Sequence, residues 1–521
     1  MSLYVRFRRH AVWLAILLTL ASWSYAAIWA ANSSVLIGFY AGRYVTWTLG
    51  FLGLALGIAG FTYRFSPTAG RVDRSYAMGA AGLLLFQSSI VFEDLHGWLS
   101  SRSGSLPAAA VVALIAAAIL VLTYRVSDAS SIRMVFAVLA LVLVAVPALE
   151  IVKTVLDPGV DSIPLQTPPP TIDAAESSGD VFVVVLDAYG RSDVLERQFG
   201  FDNTPFESAL ADLGVFVLRG VKSNYAYTEV SVTSLLDARY TAVGHDDDPS
   251  LFALRDIYAG DNALFGALDA ADYQIHFFDN AWTFTQCGPI VDHCYSTVLN
   301  EIDHVLAQRT PLPYLIDSLR IDPWTRESVA QLREAASLAE APSDRKRFVF
   351  VHALIPHAPF QLDESCEEYW NPRLDGYGFE GESPADSGVR RKAYVAQLRC
   401  TNSLILELIA AIPRDAIVFV TADHGPRPIG VGEAPSTGTA TDEILARFGT
   451  FTAYRFPEEC EAIPHEVSLI EAAAGLFGCL GIPVTDEPAR TPVQPARYFR
   501  WELVDGGVEV TDITSSVAPA R

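Results

Sequence analysis

The sequence predicts an α/β domain, with a mostly parallel central sheet and helices on both faces, preceded by an α-helical membrane domain of five spans. Three observations lead to this fold class. The long apolar segments lie in the first 155 of 521 residues, short apolar runs alternate with helical patterns after residue 180, and all six cysteines lie in that second part. Together they indicate a membrane anchor followed by a large exported domain.

Five apolar segments precede residue 156, and most approach the ~20 residues that a helix needs to cross a bilayer. They occupy residues 11–31, 45–63, 76–92, 107–124 and 134–152. In the third segment, Gln87, Ser88 and Ser89 favour a face buried within the bundle. A removable signal peptide is the alternative for the first segment, but its apolar run is long for one and four more segments follow it.

Basic residues gather in alternate connections between these spans. They are Arg6, Arg8 and Arg9 before the first span, Arg64, Arg71 and Arg74 after the second, and Arg125 and Arg133 after the fourth. Basic loops remain in the cytoplasm, so these regions and the N-terminus are expected there. With five spans, everything after residue 155 is then extracytoplasmic, and the protein is expected to be a multi-pass protein of the inner or plasma membrane.

The cysteines agree with an oxidising compartment. An even number of them after residue 180 predicts disulfides. Several pairings are open, and neighbour pairing is the expectation, namely 287–294, 366–400 and 460–479. A zinc cluster is the alternative, but the spacings contain no CxxC pair.

Charge divides the chain in the same way. After residue 155 there are 26 Lys and Arg against 55 Asp and Glu, a net charge of −29. Such an acidic surface repels nucleic acid, which we therefore exclude as a partner.

The predicted domains follow from these patterns. Residues 1–155 form the transmembrane domain, 156–179 a linker rich in Pro and Ser, 180–500 the exported domain and 501–521 a C-terminal tail. Within the exported domain, strands are predicted at 181–186, 273–278, 348–351, 416–420 and 449–454, and helices at 204–213, 392–412 and 466–480. Strands and helices in alternation indicate a mostly parallel sheet covered on both faces.

Polar residues follow four of these strands. They are Asp187, Asp279 with Asn280, His352 with His357 shortly after, and Asp423 with His424. Carboxyl ends of parallel strands share one edge of the sheet, so these side chains are expected around one crevice. A single Asp in a turn would be common turn chemistry, but four such endings favour a site. Carboxylates and imidazoles suit Zn, Mn or Mg, with Ca less favoured.

Thr228 is the candidate nucleophile. It stands where a helix is predicted to begin, so that free backbone N–H groups would face an anion. Coordination to a cation would turn its hydroxyl into a usable alkoxide. The alternative is an ordinary threonine N-cap.

Four motifs resemble the alkaline phosphatase superfamily, in its sulfatase-like branch with the bacterial membrane phosphoethanolamine transferases and lipoteichoic acid synthases. They are VVVLDAYGRSD (183–193), NYAYTEVSVTSLL (224–236), FVHALIPHAPF (350–360) and VFVTADHG (418–425), in the order of that family. The resemblance implies a sulfatase-like fold and a site whose metal ligands are Asp187, Thr228, Asp423 and His424.

The resemblance also implies roles in catalysis. Thr228 would be the nucleophile, and His357 would contact the transferred phosphoryl or sulfuryl group or protonate the leaving group. Further candidates, for which a structural role is the alternative, are His352, Asp279 and Arg427.

The sequence departs from the sulfatases in this branch. They carry Cys or Ser in a C/S-x-P-x-R segment that becomes formylglycine, and here Thr228 occupies that place without the proline or the arginine. Threonine cannot become formylglycine, so a true sulfatase is disfavoured. The first motif has one Asp where sulfatases often have two, and DHG leads into Pro426 and Arg427, which leaves a second metal position open.

We therefore expect a membrane-anchored, metal-dependent transferase of phosphoethanolamine or phosphoglycerol type, working through a phospho-threonine intermediate. Its expected partners are a phospholipid head-group donor and an envelope glycan or lipid acceptor. Two alternatives remain, a phosphoric or sulfuric ester hydrolase that uses water as acceptor, and a noncatalytic envelope protein with a degenerate site.

Overall fold

The computed structural model describes residues 3–31, 41–68, 70–88, 91, 95, 98, 105–127, 131–156, 179–243, 251–282, 284–371, 374, 384–427, 446–484, 497–504 and 507–517. The chain forms two compact units. Met1–Val160 with Glu301–Arg320 is the membrane unit, and Asp161–Asn300 with Ile321–Arg521 is the sheet unit. The predicted linker lies almost entirely outside the described residues.

Five helices of the membrane unit stand at the five predicted spans. They are α1, Leu3–Ala31; α2, Ala41–Phe65; α3, Arg71–Gln87; α4, Ser105–Val126; and α5, Ser131–Leu156. Among the described residues, three stretches are long and apolar enough to cross a membrane, namely Phe7–Ile28, Gly42–Phe65 and Ser131–Leu149.

The prediction of five full spans is therefore corrected to three candidate spans. Helix α3 has 17 residues. That length corresponds to ~25 Å of helix, against a bilayer core of ~30 Å. The described apolar part of α4, Ala110–Val126, is equally short.

Three regions that are predicted to face the cytoplasm meet at one end of the membrane unit. Asp73 of α3 is fully buried, accepts a hydrogen bond from Trp13 Nε1 at 2.7 Å and pairs with Arg9 and Arg133. These residues come from α1, α3 and α5, so the three regions lie at the same end of the unit.

The sheet unit is built on seven strands in the order β2-β7-β6-β1-β5-β3-β4. They are β1, Val181–Leu186; β2, Phe216–Leu218; β3, Gln274–Phe278; β4, His293–Tyr295; β5, Arg347–Ala353; β6, Ile417–Ala422; and β7, Thr452–Arg455. All pairings are parallel except those of β7 with β6 and with β2. The predicted mostly parallel sheet is thus confirmed as a mixed sheet with one reversed strand. Strands β2 and β4, of three residues each, are too short to show an alternating pattern in sequence.

Helices cover both faces of this sheet. They are α6, Ser192–Phe199; α7, Thr204–Asp212; α8, Thr228–Asp237; α9, Leu251–Tyr258; α10, Ala263–Ala270; α12, Pro323–Glu340; α13, Pro384–Ala411; α14, Leu469–Cys479; and α15, Thr514–Val517, while α11, Glu301–Gln308, belongs to the membrane unit. On one face, Val184 of β1 and Leu332 of α12 share the main apolar core. On the other, the ring of Phe348 in β5 lies 4.9 Å from that of Phe265 in α10.

Disulfides and a terminal hairpin complete the sheet unit. The cysteines pair as 287–294, 366–400 and 460–479, which confirms neighbour pairing. Within the predicted C-terminal tail, β8, Phe499–Val504, and β9, Gly507–Asp512, form an antiparallel hairpin. The backbone N–H of Phe499 donates to the Asn224 carbonyl at 2.8 Å, so the hairpin holds the segment that leads to α8.

Candidate active site

The central strands bring their polar ends together. Strands β6, β1 and β5 are neighbours, and the last residues of β1 and β6 are paired in register. Asp187 and Asp423 follow those paired residues and stand side by side at the carboxyl edge of the sheet. His352 lies within β5, on the other side of β1.

Thr228 faces these residues from the first position of α8. Its Oγ1 lies 3.3 Å from His424 Nε2, and its hydroxyl lowers the pKa of Asp423. The N-cap is Tyr227, in extended conformation and without a side-chain capping bond. The N-cap alternative for Thr228 is therefore wrong, and its hydroxyl points to the acidic cluster instead.

The cluster offers ligands for a cation. One ligand atom each from Asp187, His352 and Asp423 lie within 4.8 Å of one another. Asp187 Oδ1, Asp423 Oδ2 and His352 Nε2 are buried and have no hydrogen-bond partner among the described residues. His424 Nε2 is 3.3 Å from Asp423 Oδ2 and 3.7 Å from Asp187 Oδ1. Two carboxylates and imidazole nitrogens with unused acceptor atoms fit a divalent cation.

Burial sets the electrostatics of this cluster. It raises the pKa of Asp187 well above the usual value, with a further contribution from the charge of Asp423. It raises the pKa of Asp423 to about 6, against hydrogen bonds that lower it. It also lowers the pKa of His352 to about 3 and that of His424 well below its usual value. Two adjacent carboxylates in such a site need a compensating positive charge, which a proton or a divalent cation supplies.

His352 is held for this role by residues outside the cluster. Its Nδ1 lies 2.6 Å from the Tyr258 hydroxyl, and Asn280 Nδ2 donates to its backbone carbonyl at 3.0 Å. These contacts orient the ring so that its buried Nε2 has no hydrogen-bond partner among the described residues, and metal-binding histidines commonly have such an outer partner on the other ring nitrogen. Asp279 instead accepts a hydrogen bond from Thr285 Oγ1 at 3.2 Å and is not part of the cluster.

Arg447 is a site residue that the sequence analysis missed. It is 1% exposed, and its guanidinium donates to the carbonyls of Gly425, at 3.2 Å, and Ala226. Arg447 therefore links the loop that carries His424 to the segment before Thr228. The carbonyl of Gly425 also lies 3.0 Å from His424 Nδ1, which leaves His424 Nε2 directed to the cluster. No motif precedes Arg447, and only the fold brings it here.

His357 and Arg427 lie beside a small apolar cavity. Its other lining residues are Ala188, Phe199, Pro356, Ala358, Phe360, Tyr394 and Pro426. His357 Nδ1 is 2.6 Å from the carbonyl of Ala358, which places the ring proton on Nδ1. Burial, with a contribution from Arg427, lowers the pKa of His357 to about 3. His357 is therefore neutral at pH 7.

Comparison with known proteins identifies the family of the chain. Residues 180–482 match the sulfatase family, and no curated protein matches the chain. The C-terminal periplasmic domain of EptC from Escherichia coli is similar at 16% identity and a TM-score of 0.42, over 66% of this chain and 96% of that chain. The lipooligosaccharide phosphoethanolamine transferase A (EptA) of Neisseria meningitidis is similar at 13% identity and a TM-score of 0.37, over 91% of this chain and 97% of that chain. A putative sulfatase from Bacteroides thetaiotaomicron is similar at 10% identity and a TM-score of 0.39, over 65% of this chain and 86% of that chain. These structural likenesses are distant, and it is the family match, over more than half of the sequence, by which the chain belongs to the sulfatase family.

Proposed function

We propose that this enzyme is a membrane-anchored, metal-dependent phosphoryl-group transferase of phosphoethanolamine or phosphoglycerol type. The observation that carries the proposal is the position of Thr228, whose Oγ1 lies at the start of α8 and 3.3 Å from His424 Nε2. A threonine there can attack a phosphate ester but cannot become formylglycine. That difference favours phosphoryl transfer over sulfate ester hydrolysis.

The proposed ligands of the cation are Asp187, Thr228, Asp423 and His424, and the buried Nε2 atom of His352 adds a fifth. Zn, Mn and Mg suit these oxygen and nitrogen donors better than Ca. A bound cation would favour the alkoxide of Thr228 and offset the charge on the oxygens of the transferred group.

The protein residues carry the chemistry in two steps. Thr228 Oγ1 gives up its proton and attacks phosphorus in line, while the bond to the leaving alcohol breaks and that oxygen takes up a proton. In the second step an acceptor alcohol attacks the phospho-threonine, and Oγ1 leaves. His357, as the resemblance implies, would contact the transferred group or protonate the leaving oxygen, so that the proton released by the attacking alcohol returns to the departing one. The N–H groups at the start of α8 and the Arg447 guanidinium add fixed positive charge beside the transferred group.

The membrane location supports lipid substrates. The candidate spans would keep the site near a phospholipid head-group donor and an envelope lipid or glycan acceptor. An extracytoplasmic sheet unit agrees with its three disulfides.

Intact-mass analysis of the full-length protein tests the phospho-threonine intermediate. The protein in detergent would be incubated with Zn²⁺ or Mn²⁺ and with phosphatidylethanolamine or phosphatidylglycerol. We expect a phosphoryl-bearing adduct on the peptide that contains Thr228, no adduct in Thr228→Ala, and a residual adduct in the matched Thr228→Ser variant. An adduct on another residue would contradict the site assignment.

The products separate the transferase from the alternative hydrolase, which the sulfatase family match also favours. A transferase joins the phosphoryl group to a second alcohol, whereas a hydrolase releases it with water as acceptor. A noncatalytic protein would give neither product, and Thr228→Ala would then change nothing.

A further inference from the structure

Part of the exported sequence belongs to the membrane unit. Residues 301–320, which we call the docking segment, interrupt the sheet unit in sequence but group with α1–α5. The segment consists of α11 and two short 3-10 turns. Gln308 Nε2 donates to the Leu319 carbonyl at 3.0 Å, and Arg320 Nε donates to the Pro313 carbonyl at 2.9 Å. These bonds fold the docking segment back on itself as a compact element.

An apolar contact attaches the docking segment to α1. Ile302 and Leu306 of α11 are each 1% exposed and form a cluster with Tyr25 and Ile28 of α1. The two α11 residues are four apart and therefore lie on one face of the helix. The segment thus packs against the helix end with a continuous apolar face.

A buried carboxylate fixes the same contact. Asp303 is 3% exposed, forms an ion pair with Arg43 of α2 and accepts a hydrogen bond from Trp47 Nε1 at 2.7 Å. A buried carboxylate is tolerated only with partners of this kind. Its two partners, Arg43 and Trp47, therefore define a specific attachment.

The attachment lies at the end of the membrane helices opposite the cluster around Asp73, which is the end predicted to be extracytoplasmic. Tyr25 is sixteen residues after Arg9 in α1, or ~24 Å along the helix from the cluster around Asp73. Tyr25, Tyr44 and Trp47, which line the attachment, are of the residue types that concentrate at the membrane–water interface. The docking segment is therefore held at the level of the outer interface.

Two large apolar side chains of the docking segment are exposed. Leu315 is 78% exposed and Ile316 is 46% exposed, and they lie between the two 3-10 turns. Within an element fixed at the level of the interface, the neighbouring phase for such side chains is lipid. We propose that Leu315 and Ile316 insert into the outer leaflet, so that the docking segment is a second, monotopic contact of the protein with the membrane.

The docking segment also adds chain connections between the sheet unit and membrane-bound parts. The chain passes from the sheet unit into the docking segment at residue 301 and returns after residue 320. Together with the linker, three chain connections therefore join the sheet unit to membrane-bound parts. The inference concerns lipid contact alone and does not depend on the proposed catalysis.

A single fluorescent label tests the insertion. All six cysteines are in disulfides, so Leu315→Cys creates one free thiol for an environment-sensitive dye. The full-length protein would be reconstituted in phosphatidylcholine vesicles with and without lipids brominated near the carboxyl end of the acyl chain. We expect about a twofold loss of emission with brominated lipid, since interfacial side chains reach that depth. We also expect protection of the dye from aqueous iodide.

Matched positions give the controls. Leu141→Cys on α5, 68% exposed, should be quenched by bromines deep in the bilayer, whereas Phe216→Cys on β2 of the sheet unit, 66% exposed, should be quenched by iodide only. Asp303→Asn, combined with Leu315→Cys, should reduce the lipid quenching at position 315. Quenching at 315 by iodide alone, or equal lipid quenching at 315 and 216, would overturn the proposal.

Discussion

Replacement of Asp423 by asparagine should stabilise the cation-free protein and destabilise it relative to wild type once a cation is added. Asp423 is fully buried, and its Oδ1 accepts from the backbone N–H groups of Ala188 at 3.1 Å and His424 at 2.7 Å. Its Oδ2 and Asp187 Oδ1 have no partner among the described residues. Asparagine keeps the first acceptor and places an amide donor where the two carboxylates now repel each other.

The size of the effect follows from the pKa of Asp423. Burial raises that pKa to about 6 in the folded protein, whereas it is ~3.9 in an unfolded chain. The folded protein then binds the proton more tightly, so the stability is highest below pH ~4 and is lost as the pH rises through about 6. Above that pH the ionised Asp423 lowers the free energy of unfolding by about 3 kcal/mol, and asparagine removes this penalty.

Unfolding of the full-length protein in detergent, at pH 5 and pH 8, measures the expected stabilisation of the variant without a cation and its expected destabilisation relative to wild type with one. With a chelator at pH 8, Asp423→Asn should be more stable than wild type by up to about 3 kcal/mol, and by less at pH 5. With Zn²⁺ or Mn²⁺ at about a thousand times its Kd, wild type should gain about 4.1 kcal/mol that the variant lacks, which exceeds the penalty of about 3 kcal/mol. Equal stabilisation of both proteins by the cation, or a variant that is less stable with the chelator at pH 8, would refute the reasoning.

Three further predictions test the surroundings of the site. Tyr258→Phe removes the partner of His352 Nδ1 and should weaken cation binding ~10–100-fold by calorimetry, without loss of secondary structure. Cys366→Ser with Cys400→Ser opens a disulfide of sequence separation 34; it should lower the free energy of unfolding by ~4 kcal/mol in denaturant, and an unchanged midpoint would contradict this. Gly425→Ala places a Cβ 1.9 Å from a backbone carbonyl oxygen of the facing segment. It should displace the His424 loop, and a variant that binds the cation with wild-type affinity would show that the loop adapts.

Much of the fold was predictable because buried parallel strands have a strong sequence signal. The run VFVVVL predicts a strand at 181–186, where β1 lies. Strand β6 was equally visible, since apolar residues fill both faces of a central strand. The reversed direction of β7 was not predictable, because strand direction depends on pairing partners and leaves no local pattern.

The candidate site likewise has a part that the sequence predicts and a part that it does not. The sequence predicts Asp187, Asp423 and His424 as ligands because they follow apolar runs. It predicts Thr228 as the nucleophile because a predicted helix begins there. Their proximity, the inclusion of His352 through Tyr258, and the contact of Arg447 with the Gly425 carbonyl depend on segments far apart in the chain.

The sequence by itself determined the membrane anchor, the exported α/β domain and the candidate ligands, because each leaves a signal within a short stretch of chain. Only the structure decided where each membrane helix begins and ends, which side chains meet around the acidic cluster, and that residues 301–320 leave the sheet unit to join the membrane helices. The physical reason is that hydropathy and turn chemistry are local properties. Burial and hydrogen bonding are shared by residues that only folding brings together.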